Sequence, residues 1–299
     1  MRVAYLKKYN IALAAISIVL FAALFFFVDV GKLVQTLSKA DPLLAFAALL
    51  TGVIGLSLRT VRWGVIIREK AGVPWSDLYA IQCSGMAVSH FSPGKVLEAV
   101  KALPLKRFGL SYSFTMVTII WERIFDLLVI FAFAFLAFPA LEENIRVVLI
   151  ALFVAVVLVA IASFRHLEKL FTFLSKLPFL KFLAKVDAPS FKKRTLATAF
   201  LLTVIAWLAD AVAAFLAFKS LGMEISFLHL TSAFFASIIA GIVSFLPGGL
   251  GSTEAIFVFL LKDTGYPLAT LLGGVLLARA FTLGVSAVVG FALLPRVKN

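Results

Sequence analysis

The stretch FSPGKVLEAVKALPLKRFGLSYSFTMVTIIWERIFD, residues 91–126, combines a Pro-Gly break with charged side chains inside an otherwise apolar run. It recurs as LPGGLGSTEAIFVFLLKDTGYPLATLLGGVLLARAF at residues 246–281. Charged or glycine positions of the two copies match at a constant offset of 156 positions: Glu98 with Glu254, Lys106 with Lys262, Gly109 with Gly265 and Arg123 with Arg279. This pattern indicates an internal duplication.

The composition indicates a membrane protein. Hydrophobic residues make up 63% of the chain and charged residues 14%, whereas soluble domains have about half apolar and about a quarter charged residues. The apolar residues form long unbroken runs rather than short alternating segments. We therefore predict an all-α integral membrane protein and not a β-barrel.

Few side chains are suited to metal or redox chemistry. The single cysteine, Cys83, excludes an intramolecular disulfide and a cysteine-based metal site, and the three histidines lie far apart in sequence. We predict no metal and no cofactor. The net charge of +13 is interpreted as Lys- and Arg-rich cytoplasmic loops rather than as a nucleic-acid surface.

Apolar runs long enough to cross a hydrocarbon core of about 30 Å indicate full membrane spans. We predict six of them, at residues 11–28, 43–67, 113–138, 145–164, 195–218 and 267–294.

Two pairs of further apolar segments are interrupted by turn residues, at 79–92 with 94–105 and at 228–246 with 253–262. Each segment of the first pair reaches only roughly 20 Å, which is too short to span. We interpret both pairs as re-entrant helical hairpins whose tips lie at membrane depth. The tip residues are Pro93 and Gly94 in the first hairpin and Pro247 and Gly251 in the second.

The positive-inside rule then sets the orientation. We place the N-terminus, residues 68–77, 106–107 and 165–194, and the C-terminal tail inside, whereas the segments placed outside are neutral or acidic on balance, so both termini are expected in the cytoplasm of a cell-membrane protein. Segment 228–246 is long enough to span alone, but the basic tail would then lie outside. Residues 165–194 mix Leu and Phe with Lys, which predicts an amphipathic cytoplasmic linker on anionic lipid headgroups.

This layout predicts one transmembrane domain, residues 1–299, built from two repeats. Repeat 1 covers about residues 43–138 and repeat 2 about residues 195–294. The first starts outside and the second inside, so the repeats are inverted in the membrane. Inverted repeats with broken helices are typical of transporters.

Each repeat places a carboxylate beyond its hairpin tip, Glu98 or Glu254, and a guanidinium near the centre of a span, Arg123 or Arg279. A charge at the centre of a membrane helix costs about 2.5–3.5 kcal/mol on insertion scales. Each pair is therefore either a salt bridge that holds a hairpin against its span or part of a functional site, and both can hold together.

Further polar groups cluster near these pairs. Glu122 and Asp126 flank Arg123, and Lys101 lies one turn after Glu98. The backbone at Gly248 and Gly249 lies at a helix N-terminus, which can bind an anion or can simply form a tight turn. Arg59 and Asp210 lie at roughly matching places in the two repeats. Arg59 and Arg62 could instead snorkel to the cytoplasmic interface, and this is what we expect for Arg62.

The motifs PGKVLEAVK, WERIFD and PGGLGSTE, followed by a late intramembrane Arg, resemble those of a known family over about residues 10–295. This is the flippase-like transmembrane domain of lysylphosphatidylglycerol synthases. Leu97 stands where the family usually has glycine, and Lys101 stands where Arg is common, which weakens bidentate binding of an anion. The resemblance implies movement of a polar lipid between leaflets, without the soluble synthase domain.

We expect a lipid transporter of the flippase or scramblase type and not an enzyme. Its substrate would be a phosphate-bearing lipid or a polyprenyl-phosphate-linked lipid. Arg123, Arg279 and Lys101 would bind the phosphate with the backbone of Gly248 and Gly249, and protonation of Glu98 and Glu254 could couple transport to a proton gradient.

Two other functions fit the same residues. The chain could be a scaffold that presents lipid to a partner enzyme such as a glycosyltransferase or a lipid synthase. It could also be a lipid-modifying membrane enzyme that uses Glu122 and Asp126 as acid-base or metal groups.

Overall fold

The computed structural model of the chain describes residues 30–135, 143–174, 176 and 190–298. Every regular element within these ranges is a helix. The α-helices are α1 (Val30–Ser38), α2 (Pro42–Ile67), α3 (Trp75–Ser89), α4 (Ala102–Leu105), α5 (Tyr112–Ala134), α6 (Glu143–Leu174), α7 (Lys193–Ser220), α8 (Phe227–Val243), α9 (Ser252–Leu261), α10 (Leu268–Arg279) and α11 (Val285–Lys298). Short 3₁₀ helices cover Pro93–Lys101, Lys106–Phe108, Pro247–Gly249 and Lys262–Thr264, and a π-helical turn, Ala280–Gly284, joins α10 to α11.

Four helical segments are long and apolar enough to cross a membrane: Pro42–Ile67, Arg146–Ser163, Lys193–Ser220 and Leu268–Val297. The prediction of an all-helical membrane protein is confirmed for the described residues. Helix α5 has 23 residues, but every 18-residue window of it contains Glu122, Arg123 and Asp126, so composition alone does not mark it as a span. The predicted first span, 11–28, lies outside the described residues.

Capping residues explain where the main helices begin. The Asp41 carboxylate accepts hydrogen bonds from the backbone N–H groups of Leu43 and Leu44 at the start of α2, and Pro42 occupies its first turn. Ser111 caps α5 in the same way. The matched glycines Gly109 and Gly265 both adopt a left-handed backbone, with φ of 76° and 82°, and each ends a short helical segment.

Several elements differ from the predicted ones. Residues 94–105 were expected to form one short helix, but they belong to the 3₁₀ helix Pro93–Lys101 and to the single α-turn Ala102–Leu105. Helix α6 continues to Leu174, so the predicted linker 165–194 begins inside a helix, and residues 175 and 177–189 lie outside the described part. Helix α1 lies between the predicted spans 11–28 and 43–67.

Helices α2 and α7 pack against each other along their length and run antiparallel. The Asp41 N–H donates to the Ser220 carbonyl at 2.7 Å near one end, and Thr195 hydrogen-bonds Glu69 near the other. Between them, Arg59 binds Asp210 at 2.7 Å. These two helices are the first elements of the two predicted repeats, so corresponding elements face each other in opposite directions.

Two further helix pairs also join the two predicted repeats. Helix α3 packs on α11, where the Ser84 hydroxyl donates to the Gly290 carbonyl at 3.0 Å. The corresponding helix α8 packs on α5, where the rings of Phe133 and Phe235 stack at 4.9 Å. The two tip segments also meet. Each helix that precedes a predicted tip therefore packs on the last long helix of the other predicted repeat.

Candidate functional site

Six buried or partly buried charged side chains form a closed ring of salt bridges near the first tip. Going around the ring, carboxylates and cations alternate: Glu98, Lys101, Glu122, Arg62, Asp126, Arg123 and back to Glu98. In the same order the N···O distances are 2.9, 2.6, 2.6, 2.5, 2.8 and 3.4 Å. Three positive and three negative charges thus sum to zero, and the ring compensates its own charges within the fold.

Three elements supply the ring. Helix α5 provides Glu122, Arg123 and Asp126, because positions three and four apart lie on neighbouring parts of one helix face. The 3₁₀ helix Pro93–Lys101 provides Glu98 and Lys101, and α2 provides Arg62. The ring therefore joins the segment after the first tip to two long helices.

Lys101 is fully buried and its ammonium is fully engaged. It donates to Gln82 at 2.8 Å, to Glu98 at 2.9 Å and to Glu122 at 2.6 Å, which matches its three N–H donors. The Trp63 ring lies 4.6 Å from the same nitrogen. Lys101 was predicted to bind phosphate, but in this arrangement it orients the two carboxylates.

Arg62 does not snorkel to the interface, and that prediction is wrong. Its side chain has no exposed surface and binds Glu122 at 2.6 Å and Asp126 at 2.5 Å. The Thr203 hydroxyl lies 3.4 Å from the same guanidinium, across the contact with α7. The two carboxylates on α5 compensate the charge of Arg62 inside the fold, so its side chain does not extend to the lipid headgroups.

Arg123 is the most exposed member of the ring. Its side chain is 32% exposed, whereas the other five ring side chains are at most 6% exposed. Its bonds to Glu98 are long, at 3.4 and 3.5 Å, while its bond to Asp126 is 2.8 Å. An anion that approaches the ring therefore meets this guanidinium.

A second buried ion pair lies beside the ring. Arg59 binds Asp210 with both terminal nitrogens, at 3.2 and 2.7 Å. Trp207 connects the pair to the ring, because its ring lies 4.6 Å from the Arg59 guanidinium and its indole N–H donates to Asp126 at 3.0 Å. Arg59 and Asp210, which lie at roughly matching places in the two predicted repeats, are thus in direct contact.

The second tip has a simpler arrangement. Arg279 lies 3.1 Å from Glu254 and donates to the Gly248 carbonyl at 2.6 Å. The other oxygen of Glu254 accepts the Gly251 N–H at 2.8 Å, which caps helix α9. This pair connects the second tip to the last long helix. It therefore has the geometry of a salt bridge that holds a hairpin against its span.

The tip backbone is less open to an anion than we predicted. Gly248, Gly249 and Gly251 all have positive φ, between 62° and 86°, a conformation that glycine adopts readily. However, the Gly249 N–H donates to the Leu246 carbonyl within the turn, and Gly248 offers its carbonyl to Arg279. At the first tip, Pro93 and Gly94 begin the 3₁₀ helix, so both tips contain tight 3₁₀ geometry after a proline.

Glu122 and Asp126 were also considered as acid-base or metal groups. Each of them binds Arg62, and Glu122 also binds Lys101. Oxygens of both carboxyl groups thus contact cations of the ring.

Comparison with known proteins gives the family. The model of the lysylphosphatidylglycerol synthase transmembrane region matches residues 11–290 of this chain. The chain belongs to that family. The predicted resemblance is therefore confirmed, and a membrane protein related to lipid chemistry is the class that follows.

Relatives of this chain are also named as membrane proteins. A UPF0104 membrane protein of Pyrococcus horikoshii is 26% identical over an aligned length of 323 residues. The alignment covers 95% of this chain and 96% of the relative. A UPF0104 membrane protein of Methanothermobacter thermautotrophicus is 27% identical over 286 residues, which cover 85% of this chain and 83% of the relative.

Sequence reasoning missed several residues of the site in this family member. They are Arg62, which we assigned to the interface, and Trp63, Gln82, Thr203 and Trp207, which carried no signal in one sequence. One clue was available for Arg62. It lies one turn after Arg59 inside an apolar helix, and two guanidiniums at that spacing need compensation on the same face.

Proposed function

We propose that the chain is a lipid transporter of the flippase or scramblase type, which moves a phosphate-bearing or polyprenyl-phosphate-linked lipid between leaflets. Arg123 receives the headgroup phosphate. The observation that carries this proposal is its exposure, 32% of the side chain, within a ring whose other charges are buried. A guanidinium suits a phosphate because it offers a planar set of donors and keeps its charge.

The antiparallel packing of α2 and α7 supports an inverted-repeat architecture. A two-fold axis that exchanges these helices is perpendicular to them, and it lies in the membrane plane if they span the bilayer. The paired contacts of α3 with α11 and α8 with α5 obey the same exchange. We infer six spans and two re-entrant hairpins arranged in this way, which is a transporter architecture.

The two repeats differ in conformation, which is what alternating access requires. Arg123 is 32% exposed, whereas Arg279 is 12% exposed and binds the second tip. Under the proposed exchange, the repeats swap conformations and Arg279 becomes the open guanidinium. One state would then accept the headgroup from one leaflet, and the other state would release it to the opposite leaflet.

Both termini lie in the cytoplasm and the chain crosses the cell membrane several times, in agreement with the basic tail at Arg296 and Lys298. The basic segment 165–194 binds anionic headgroups at the cytoplasmic surface. A separate enzyme that makes the transported lipid is the expected partner.

Native mass spectrometry in mild detergent tests the headgroup site. The wild-type protein should retain one phosphate-bearing lipid class, and Arg123→Ala should lose it. Arg107→Ala is the matched control, because Arg107 is a surface arginine that binds Asp77 at 2.6 Å, and it should keep the lipid. Arg279→Ala should lower the amount of lipid that is retained, because it removes the contact of Arg279 with the second tip.

Reconstituted vesicles test transport itself. A fluorescent analogue of the retained lipid should exchange between leaflets faster with the wild-type protein than with Arg123→Ala. Unselective lipids that are unchanged in Arg123→Ala would refute the site, and no exchange in vesicles despite selective binding would support the lipid-presenting scaffold instead.

A further inference from the structure

The ring of six charges has a property that bears on how an anion can bind. With Arg123 in place, each carboxylate contacts two cations of the ring and each cation contacts two carboxylates. The ring is closed and neutral. A phosphate that binds Arg123 adds a negative charge to this neutral, largely buried cluster, and such a charge is costly unless it is compensated.

Removing Arg123 from the ring turns it into an open chain. The chain runs from Asp126 through Arg62, Glu122 and Lys101 to Glu98, with three carboxylates and two cations. Its two ends are therefore Asp126 and Glu98, the two carboxylates that Arg123 had joined. The excess negative charge must be accommodated at one of these ends.

The two ends are not equivalent. Asp126 keeps Arg62 at 2.5 Å and the Trp207 indole N–H at 3.0 Å. Glu98 keeps Lys101 at 2.9 Å, but the same ammonium lies closer to Glu122, at 2.6 Å. Arg123 already binds Glu98 less closely than Asp126, at 3.4 Å against 2.8 Å. Once Arg123 is removed, the cation that remains at Glu98 is farther away, at 2.9 Å, than the one that remains at Asp126, at 2.5 Å, so Glu98 is the less compensated end.

We propose that a singly charged phosphate headgroup binds Arg123 together with one proton, which Glu98 takes up. An O–H bond forms on the Glu98 carboxyl when the phosphate displaces it from the guanidinium, and the proton returns to solvent when the lipid leaves. This inference rests on the proposed function and specifies it. The ring and its ligand carry no net charge, so the loaded protein moves one anion and one proton together.

Electroneutral movement separates two driving forces. A pH gradient across the membrane changes the distribution of a lipid that moves with a proton, whereas a membrane potential acts only on net charge. The substrate class also follows. A phosphodiester with one negative charge is balanced by a single proton, while a phosphomonoester with a second charge would leave the buried cluster uncompensated.

Proton uptake can be measured directly during binding. The probe is dioctanoyl phosphatidylglycerol, a short-chain phosphodiester, titrated by calorimetry into the purified protein in two buffers of different ionisation enthalpy at one pH. The wild-type protein should take up about one proton per bound lipid, by linkage between proton and ligand. Glu98→Gln should bind the probe with no proton uptake, because its amide is already neutral.

Two variants keep the outcomes distinct. Asp77→Asn replaces a surface carboxylate that binds Arg107, and it should show the same proton uptake as the wild type. Arg123→Ala should not bind the probe. Binding that depends on Arg123 without proton uptake would overturn this inference and leave the headgroup site intact. Proton uptake that persists in Glu98→Gln would assign the proton elsewhere, and binding that is unaffected in Arg123→Ala would overturn both proposals.

Discussion

Lys101 lies 2.6 Å from Glu122, which ties the short helical segment after the first tip to the middle of helix α5. Both side chains are fully buried. Because a buried ion pair is stable only with good geometry and further hydrogen bonds, Gln82 contributes a hydrogen bond to each partner, at 2.8 Å from the ammonium and 3.4 Å from the carboxylate. The segment that follows the first tip is thus held to α5 by a buried ion pair.

The ring predicts a large stability effect at Arg62. In Arg62→Met the carboxylates of Glu122 and Asp126 lose a shared, fully buried cation, and we expect the unfolding free energy to fall by about 3–5 kcal/mol. Thermal unfolding in one detergent, followed by circular dichroism, measures this. Arg107→Met removes the partly exposed pair with Asp77 and should cost at most about 1 kcal/mol. Equal shifts in the two variants would contradict the role of the ring.

The contact of α2 with the π-helical turn predicts an effect at Gly52. A Cβ atom at this position would lie 1.9 Å from the Phe281 carbonyl oxygen, so Gly52→Ala must push α2 away from the last long helix. We expect a loss of about 1–3 kcal/mol from overpacking. Gly72→Ala is the control, because a Cβ there meets no atom within 4 Å. Unchanged melting of Gly52→Ala would show that the helices do not approach so closely.

The sequence predicted the charges of the site better than their arrangement. The fixed offset between repeats identified Glu98, Arg123, Glu254 and Arg279, and the structure places each pair in contact. The matched glycines, Gly109 and Gly265, also share a left-handed backbone. These features are local or repeated, so a single sequence records them.

Contacts between distant helices could not be predicted in the same way. Whether Arg62 reaches a headgroup or a carboxylate depends on which helix faces it, and that helix, α5, is 60 residues away at Glu122. One of the three N–H donors of Lys101 is satisfied by Gln82. Gln82 is a neutral residue, and no motif in the surrounding sequence marks it. Periodicity reports the exposed and buried faces of one helix, but it does not identify the partner of each face.

The buried pair of Arg59 and Asp210 predicts strong coupling between α2 and α7. Gly55 leaves room for this pair, since a Cβ there would lie 2.6 Å from an oxygen of Asp210. Arg59→Met and Asp210→Asn should each destabilise by about 3–5 kcal/mol, because each leaves a buried charge or dipole without its partner. The double variant should cost less than the sum, with a coupling energy of about 0.5–3 kcal/mol. Additive effects in this double-mutant cycle would mean that the two residues do not interact.

The matched lysines at the ends of the short helices test the inverted topology. Lys106 and Lys262 lie at the offset of 156 positions and both are exposed. If the repeats are inverted, Lys106→Cys should react with a membrane-impermeant maleimide only from the cytoplasmic side of the membrane, and Lys262→Cys only from the opposite side. Right-side-out and inside-out vesicles distinguish the two sides.

The wild-type chain provides the baseline for this labelling, because its cysteine, Cys83, is fully buried and should remain unmodified in both vesicle preparations. Two parallel repeats would place both lysines on one side of the membrane, and labelling of Lys106→Cys and Lys262→Cys from the same side would therefore exclude the exchange of repeats on which alternating access depends. Opposite labelling, combined with antiparallel α2 and α7, requires that the symmetry axis lie in the membrane plane. A headgroup site that lies between two repeats related by such an axis can face each leaflet in turn when the repeats exchange conformations. No domain then has to rotate across the bilayer.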